Sequence, residues 1–170
     1  QEIWATIIGV AIFLYVVLDG FDLGIGILFL RHPEPKDRAI MLSTIVPIWD
    51  GNQTWLVFGG ATLYGAFPGV FSAILPSIYI PMILMLVFLL LRGVSLEFRL
   101  KSKTLVPVWE RVFCISSLLT TMCQGAILGT YVVGYGTVTP TYANVNELSW
   151  LTPFSLLSAL GLVVGYAHLG

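Results

Sequence analysis

Apolar residues run through this chain in long blocks: residues 3–30, 52–66, 70–91, 112–135 and 150–170. A helix that crosses a bilayer needs about 20 mainly apolar residues. Inside hydrocarbon the backbone must satisfy its own hydrogen bonds, which a helix does within one segment. The pattern therefore predicts an all-α fold, a polytopic membrane helical bundle with about five transmembrane helices, and a single transmembrane unit over residues 1–170. The second block is short. It extends backward through Ile45, Val46 and Ile48, with Pro47 marking a first turn or a kink. Between the first two blocks, Pro33 and Pro35 break the helix, and a surface helix leading into the membrane is expected from about Lys36. Because the chain starts at Gln1 without Met and its last apolar block reaches Gly170 without a polar flank, a longer polypeptide is expected, of which this is the first half.

Composition agrees with this picture: 57% of residues are hydrophobic and 10% charged, against about 25% charged in ordinary soluble domains. The net charge of −1 is uninformative, but its placement is not. Arg31, Lys36 and Arg38 lie between the first two blocks, and Arg92, Arg99, Lys101, Lys103 and Arg111 lie at or between the ends of the third and fourth. The connections around Pro68 and over 136–149 carry no Lys or Arg. Basic loops stay on the cytoplasmic side, so the N-terminus is predicted on the opposite, outer side of the membrane.

The polar exceptions inside the blocks carry the candidate chemistry. Asp19 and Asp22 sit near the end of the first block, and Asp50 opens the second within Trp49-Asp50-Gly51-Asn52-Gln53-Thr54-Trp55. A carboxylate in a membrane span needs partners or a function. Counting from Ile3 at about 1.5 Å per residue, Asp19 lies about 24 Å into a core about 30 Å thick. Asp50, Arg92, Glu97 and His168 fall at the same end, so the ionisable groups of the spans gather toward the cytoplasm.

Asp19 and Asp22, three residues apart, share a helix face, an arrangement suited to exchanging protons. The plainer reading is a structural staple in which one or both accept hydrogen bonds from Arg92 or from a neighbouring helix end. For Asp50 the plainer reading is a helix N-cap, which does not exclude proton exchange. Gly20 with Gly24, Gly125 with Gly129, and Gly161 with Gly165 have the four-residue spacing that lets helices approach closely. Cys114 and Cys123 lie in one span on opposite faces, which excludes an intrahelical disulfide and marks them as packing residues.

A haem needs an axial His, commonly with a second His or a Met at matching depth. His32 lies in a loop and His168 stands alone in the fifth block, where a packed or hydrogen-bonded helix histidine is expected. No zinc spacing, P-loop or nucleotide fingerprint occurs, and no nucleic-acid partner is expected. No cofactor is expected to be bound by this segment.

Three motifs, Leu18-Asp19-Gly20-Phe21-Asp22-Leu23-Gly24-Ile25-Gly26, Trp49-Asp50-Gly51-Asn52-Gln53-Thr54-Trp55-Leu56-Val57 and Arg92-Gly93-Val94-Ser95-Leu96-Glu97-Phe98-Arg99, together resemble subunit II of the cytochrome bd-type quinol oxidases, including their cyanide-insensitive branch. The resemblance implies a respiratory complex that oxidises quinol and reduces dioxygen to water. It places haem b and haem d in a partner, the haem-bearing subunit I, and makes subunit II a stabilising neighbour that helps deliver protons. It carries the proton path to Asp50 and an oxygen entrance to Trp55; the buried acids Asp19 and Asp22 are expected to assist Asp50 on that path. Membrane lipids, small accessory subunits and a quinone in the bundle are left open as further partners. Two rival readings are a cation-coupled secondary transporter, whose acids would sit nearer the midplane, and a purely structural assembly subunit.

Overall fold

The computed structural model describes residues 1–32, 34–134 and 148–170. Among them every regular element is helical: α1 (Glu2–Leu28), a 3-10 turn (Phe29–Arg31), α2 (Pro35–Ile45), α3 (Trp49–Ala66), α4 (Pro68–Lys101), α5 (Val106–Val133) and α6 (Pro153–Leu169). α1 together with its 3-10 turn, α4 and α5 are long and apolar enough to cross a membrane, and α6 is a shorter apolar helix. At about 1.5 Å per residue, the 34 residues of α4 extend about 51 Å. That exceeds the hydrocarbon thickness, so its charged end from Glu97 onward projects beyond an apolar slab about 30 Å thick.

The second apolar block differs from the expectation. It does not extend backward, because residues 46–48 form a turn that separates α2 from α3. Pro47 supplies no backbone N–H, and Ile48, at φ −125° and ψ −20°, leaves helical geometry before Trp49 starts α3. Asp50, Asn52 and Gln53 hold the apolarity of α3 below that of the long helices.

α2 begins one residue before the expected start, with Pro35 in its first turn. It is more than a surface segment. Leu42 and Ile45 join Ile25, Phe29, Leu96 and Phe113 in a buried cluster fed by α1, α4 and α5, with Phe21, Met41, Val46 and Trp49 packed against it. Phe29 meets Phe113 edge to face at 5.3 Å between centroids. α6 is started by reciprocal hydrogen bonds: Ser155 N–H donates to Thr152 Oγ1 at 3.0 Å and Thr152 N–H donates to Ser155 Oγ at 2.9 Å. This satisfies two backbone donors that the first turn of a helix leaves free.

α1 and α5 form the middle of the bundle. α1 packs against α3, α5 and α6, while α5 packs against α4 and α6 as well. Small residues make two of these approaches. A Cβ on Gly24 would lie 1.9 Å from the Tyr166 carbonyl oxygen, and Cβ atoms on Gly125 and Gly129 would lie 2.4 Å from Ala159 Cα and 2.5 Å from Ser155 Cα. Gly161 and Gly165 share the spacing but face open space, so the third pair makes no close contact among the described residues. The connection expected to be free of basic residues lies for the most part outside the described residues, as does Tyr135.

Candidate functional site

The acids of α1 meet their partners where α3 and α4 come alongside. Asp19 and Asp22 stand three residues apart on the buried side of α1. Arg92, one residue before Gly93 on α4, reaches Asp19: its Nη2 donates to Asp19 Oδ1 at 2.5 Å, with side-chain exposures of 1% and 0%. Asn52, in the first turns of α3, donates from Nδ2 to Asp22 Oδ2 at 2.8 Å and lies 3.4 Å from the Leu18 carbonyl oxygen. One face of α1 is thus tied to α4 by a charge pair and to α3 by an amide.

The motif order has a packing reason. Trp49 starts α3, and a Cβ on Gly93 would lie 2.9 Å from its ring. The glycine after Arg92 lets the indole lie against α4, which brings Asn52 and Arg92 to the same stretch of α1. Tyr15, one turn before Asp19, accepts a hydrogen bond from Gln124 Nε2 on α5. Burial strengthens each of these polar contacts, because the surroundings have a low dielectric constant.

Asp50 stands outside this cluster. Its side chain is exposed in the first turn of α3. The N-cap is Ile48, without a side-chain cap hydrogen bond, so the capping role expected for Asp50 is not realised. A carboxylate in the first helical turn still benefits from the partial positive charge of the helix N-terminus. Trp55 is half-buried and meets Phe58 edge to face at 6.2 Å. The structure therefore brings together Asp19, Asp22 and Arg92, and leaves Asp50 and Trp55 apart from them.

Arg92 pairs with Asp19, which resolves which of the two aspartates the arginine holds. Asn52 as the partner of Asp22 went unnoticed in the sequence, although it stands two residues after Asp50 in the quoted motif. A second charged group was also missed. Glu110, on α5, accepts from Arg38 Nη1 at 2.6 Å and from Arg99 Nη2 at 3.0 Å, joining α2, α4 and α5. The sequence signal was an acid in a loop region crowded with arginines. Glu97 instead pairs with Lys101 on the exposed surface of α4 at 3.0 Å.

His168 is exposed near the end of α6, and His32 is exposed after the 3-10 turn, so the packed helix histidine expected at 168 is not observed. Neither histidine belongs to the buried cluster. Cys114 and Cys123 are half-buried free thiols, and Cys114 Sγ lies 3.7 Å from the Ile27 carbonyl oxygen.

Residues 1–170 match the family described as cytochrome bd terminal oxidase subunit II. Among curated relatives, the cytochrome bd-I ubiquinol oxidase subunit 2 of Escherichia coli (strain K12) is 33% identical over 99% of this chain and 45% of its own length. The cytochrome bd ubiquinol oxidase subunit 2 of Bacillus subtilis (strain 168) is 31% identical over 94% of this chain and 48% of its own. A probable cytochrome oxidase subunit 2 of Haemophilus influenzae is 30% identical over 91% of this chain and 43% of its own. The chain spans about half the length of the curated relatives it matches. With the match covering the whole chain and all three motifs, this protein belongs to the cytochrome bd terminal oxidase subunit II family.

Proposed function

We propose that this chain serves in subunit II of a membrane quinol oxidase, supporting a haem-bearing subunit I and helping to deliver protons for the reduction of dioxygen to water. The reading takes its substrates and partner from the names of the relatives and from the motif resemblance. In it, α1, α3, α4, α5 and α6 all cross a bacterial or archaeal inner membrane, with the N-terminus outside and the basic loops in the cytoplasm. Haem b and haem d belong to the partner subunit and supply its redox chemistry.

The single observation that supports the proton role is the buried acid pair of α1, with Asp22 held by Asn52 and Asp19 by Arg92. Asp50 stands apart from that pair, exposed at the start of the helix that carries Asn52. In this proposal Asp50 collects a proton from the cytoplasm. Asp22 and Asp19 continue the route, and the guanidinium of Arg92 keeps a negative charge on Asp19 affordable inside the membrane. Trp55 as an oxygen entrance is supported by the resemblance alone.

The second reading is favoured by a specific observation. The Arg92–Asp19 pair is buried and short, as a structural staple between α1 and α4 would be. One experiment separates the two. In the assembled oxidase with full-length subunit II, Asp50→Asn and Asp22→Asn should each lower quinol-driven oxygen consumption by about tenfold or more, within the range of general acid–base contributions, at unchanged haem content. Wild-type turnover with intact haem would leave only the staple. A visible spectrum showing haem d co-purifying with the chain tests the partner; a colourless preparation would instead favour a transporter.

A further inference from the structure

Thr120 stands apart from the other buried hydroxyls of α5. Ser116 and Ser117 donate to the Phe113 carbonyl, Thr121 to that of Ser117 and Thr130 to that of Ala126. Bonding back to the preceding turn is the usual habit of a hydroxyl in a helix with apolar surroundings. Thr120 is fully buried and does not follow it; among the described residues its Oγ1 has no hydrogen-bond partner.

Helix register shows what lies opposite. α1 and α5 are antiparallel neighbours, with Tyr15 against Gln124, Gly26 against Ser117 and Phe29 against Phe113. Moving one turn along each helix from the Tyr15–Gln124 contact reaches Asp19 on α1 and Thr120 on α5. Thr120 therefore stands at the level of the Asp19–Arg92 pair. At that pair Asp19 Oδ2, Arg92 Nε and Arg92 Nη1 also lack partners among the described residues, as does Asp22 Oδ1 beside it. Tyr15, one turn before Asp19, is held by Gln124, and Asp19 Oδ2 has no partner at hydrogen-bond distance among the described residues.

These side chains are at most 1% exposed, so neither a second subunit nor a lipid reaches them from outside. Buried donors and acceptors are costly to leave unmet, and their partner must lie within the bundle. The guanidinium donors oppose a cation, and the two carboxylates oppose an anion. A neutral molecule that both donates and accepts, and is small enough for a helix interface, meets all of these groups.

We infer that internal water occupies a hydration site between α1, α4 and α5, bounded by Asp19, Asp22, Arg92 and Thr120. Water there donates to the free carboxylate oxygens, accepts from Arg92 and is held from the α5 side by Thr120. The inference rests on the geometry of the cluster and not on proton delivery, since a hydrated ion pair would also serve as a staple.

The test uses the assembled oxidase with full-length subunit II. A high-resolution cryo-electron microscopy map should show water within hydrogen-bond distance of Thr120 Oγ1 and Asp19 Oδ2. Infrared difference spectra in H₂¹⁸O should show isotope-shifted water O–H bands that T120V removes. T120S, which keeps the hydroxyl, and T121V, which alters a back-bonded neighbour of equal size, should retain them. A dry map in which protein atoms satisfy Arg92 Nε and Nη1, or bands unchanged in T120V, would overturn the site. If T120V fails to assemble, the wild-type map decides. Turnover measured on the same samples reports separately on proton delivery.

Discussion

Arg92 on α4 and Asp19 on α1 form a buried ion pair, with Nη2 and Oδ1 2.5 Å apart although the residues are 73 positions apart in the chain. Removing one member of such a pair strands a charge in a low-dielectric interior, which costs about 3–5 kcal/mol. Replacing both by apolar groups removes the charge along with its partner. R92L and D19L should each lower the thermal stability of the assembled complex by about that amount, and the D19L/R92L double variant should be more stable than either. A double variant whose loss equals the sum of the two would show that the residues act independently.

Asn52 is expected to matter through Asp22. N52L removes the 2.8 Å amide donor and leaves a buried carboxylate oxygen unmet, a loss of about 1–3 kcal/mol. Thermal unfolding followed by haem release should move to lower temperature in N52L and return most of the way in N52L/D22L. Wild-type stability in N52L alone would mean that the Asn52–Asp22 bond contributes nothing.

The Glu110 junction predicts a local effect. Glu110 holds Arg38 of α2 and Arg99 of α4 together, while the Arg38 guanidinium also lies 5.8 Å from the Phe29 ring centroid. E110Q keeps the shape and removes the charge, a change of about 1–3 kcal/mol for hydrogen bonds to charged groups. Hydrogen exchange should rise in α2 and remain as in the wild type in α6. Equal protection of α2 in both proteins would show that its apolar cluster alone secures it.

Glycine spacing gives a paired comparison. A methyl on Gly24 would collide with the Tyr166 backbone at 1.9 Å, whereas one on Gly161 meets nothing within 4 Å. G24A should destabilise α1 against α6 by at least about 1–3 kcal/mol, as overpacking does. G161A adds no clash with any described residue and should cost less than G24A. Equal melting temperatures for the two variants would contradict the packing described.

Much of the molecule was legible before its fold. Long apolar blocks leave the backbone few alternatives to helix, so the helical class, both ends of α1 and the start of α4 emerged close to where they lie, while α4 runs ten residues beyond the expected Leu91, to Lys101. Other boundaries also differed. The second block looked extensible because Ile45, Val46 and Ile48 are apolar, yet a turn at Pro47 divides it, and Ile45 joins the core of a different helix. Likewise Asp50 looked like a cap, but Ile48 holds that position and the helix is already under way at Trp49. Local residue type constrains such an end only to within a residue or two.

The acids themselves were visible in the sequence because carboxylates inside apolar blocks are conspicuous, whatever the surrounding structure. Their partners were not, since Asp19 and Arg92 stand far apart in the chain and Asp22 reaches Asn52 across a different helix pair. The glycine pairs make the same point in packing: identical spacing places Gly125 and Gly129 against α6 and leaves Gly161 and Gly165 open. The order of residues alone determined which segments are apolar enough to be helices in a membrane and where charge interrupts them. Which charges meet, which glycines close and which buried hydroxyls bond back to their own helix depend on rotation and register between helices, and only their packing against one another decides those.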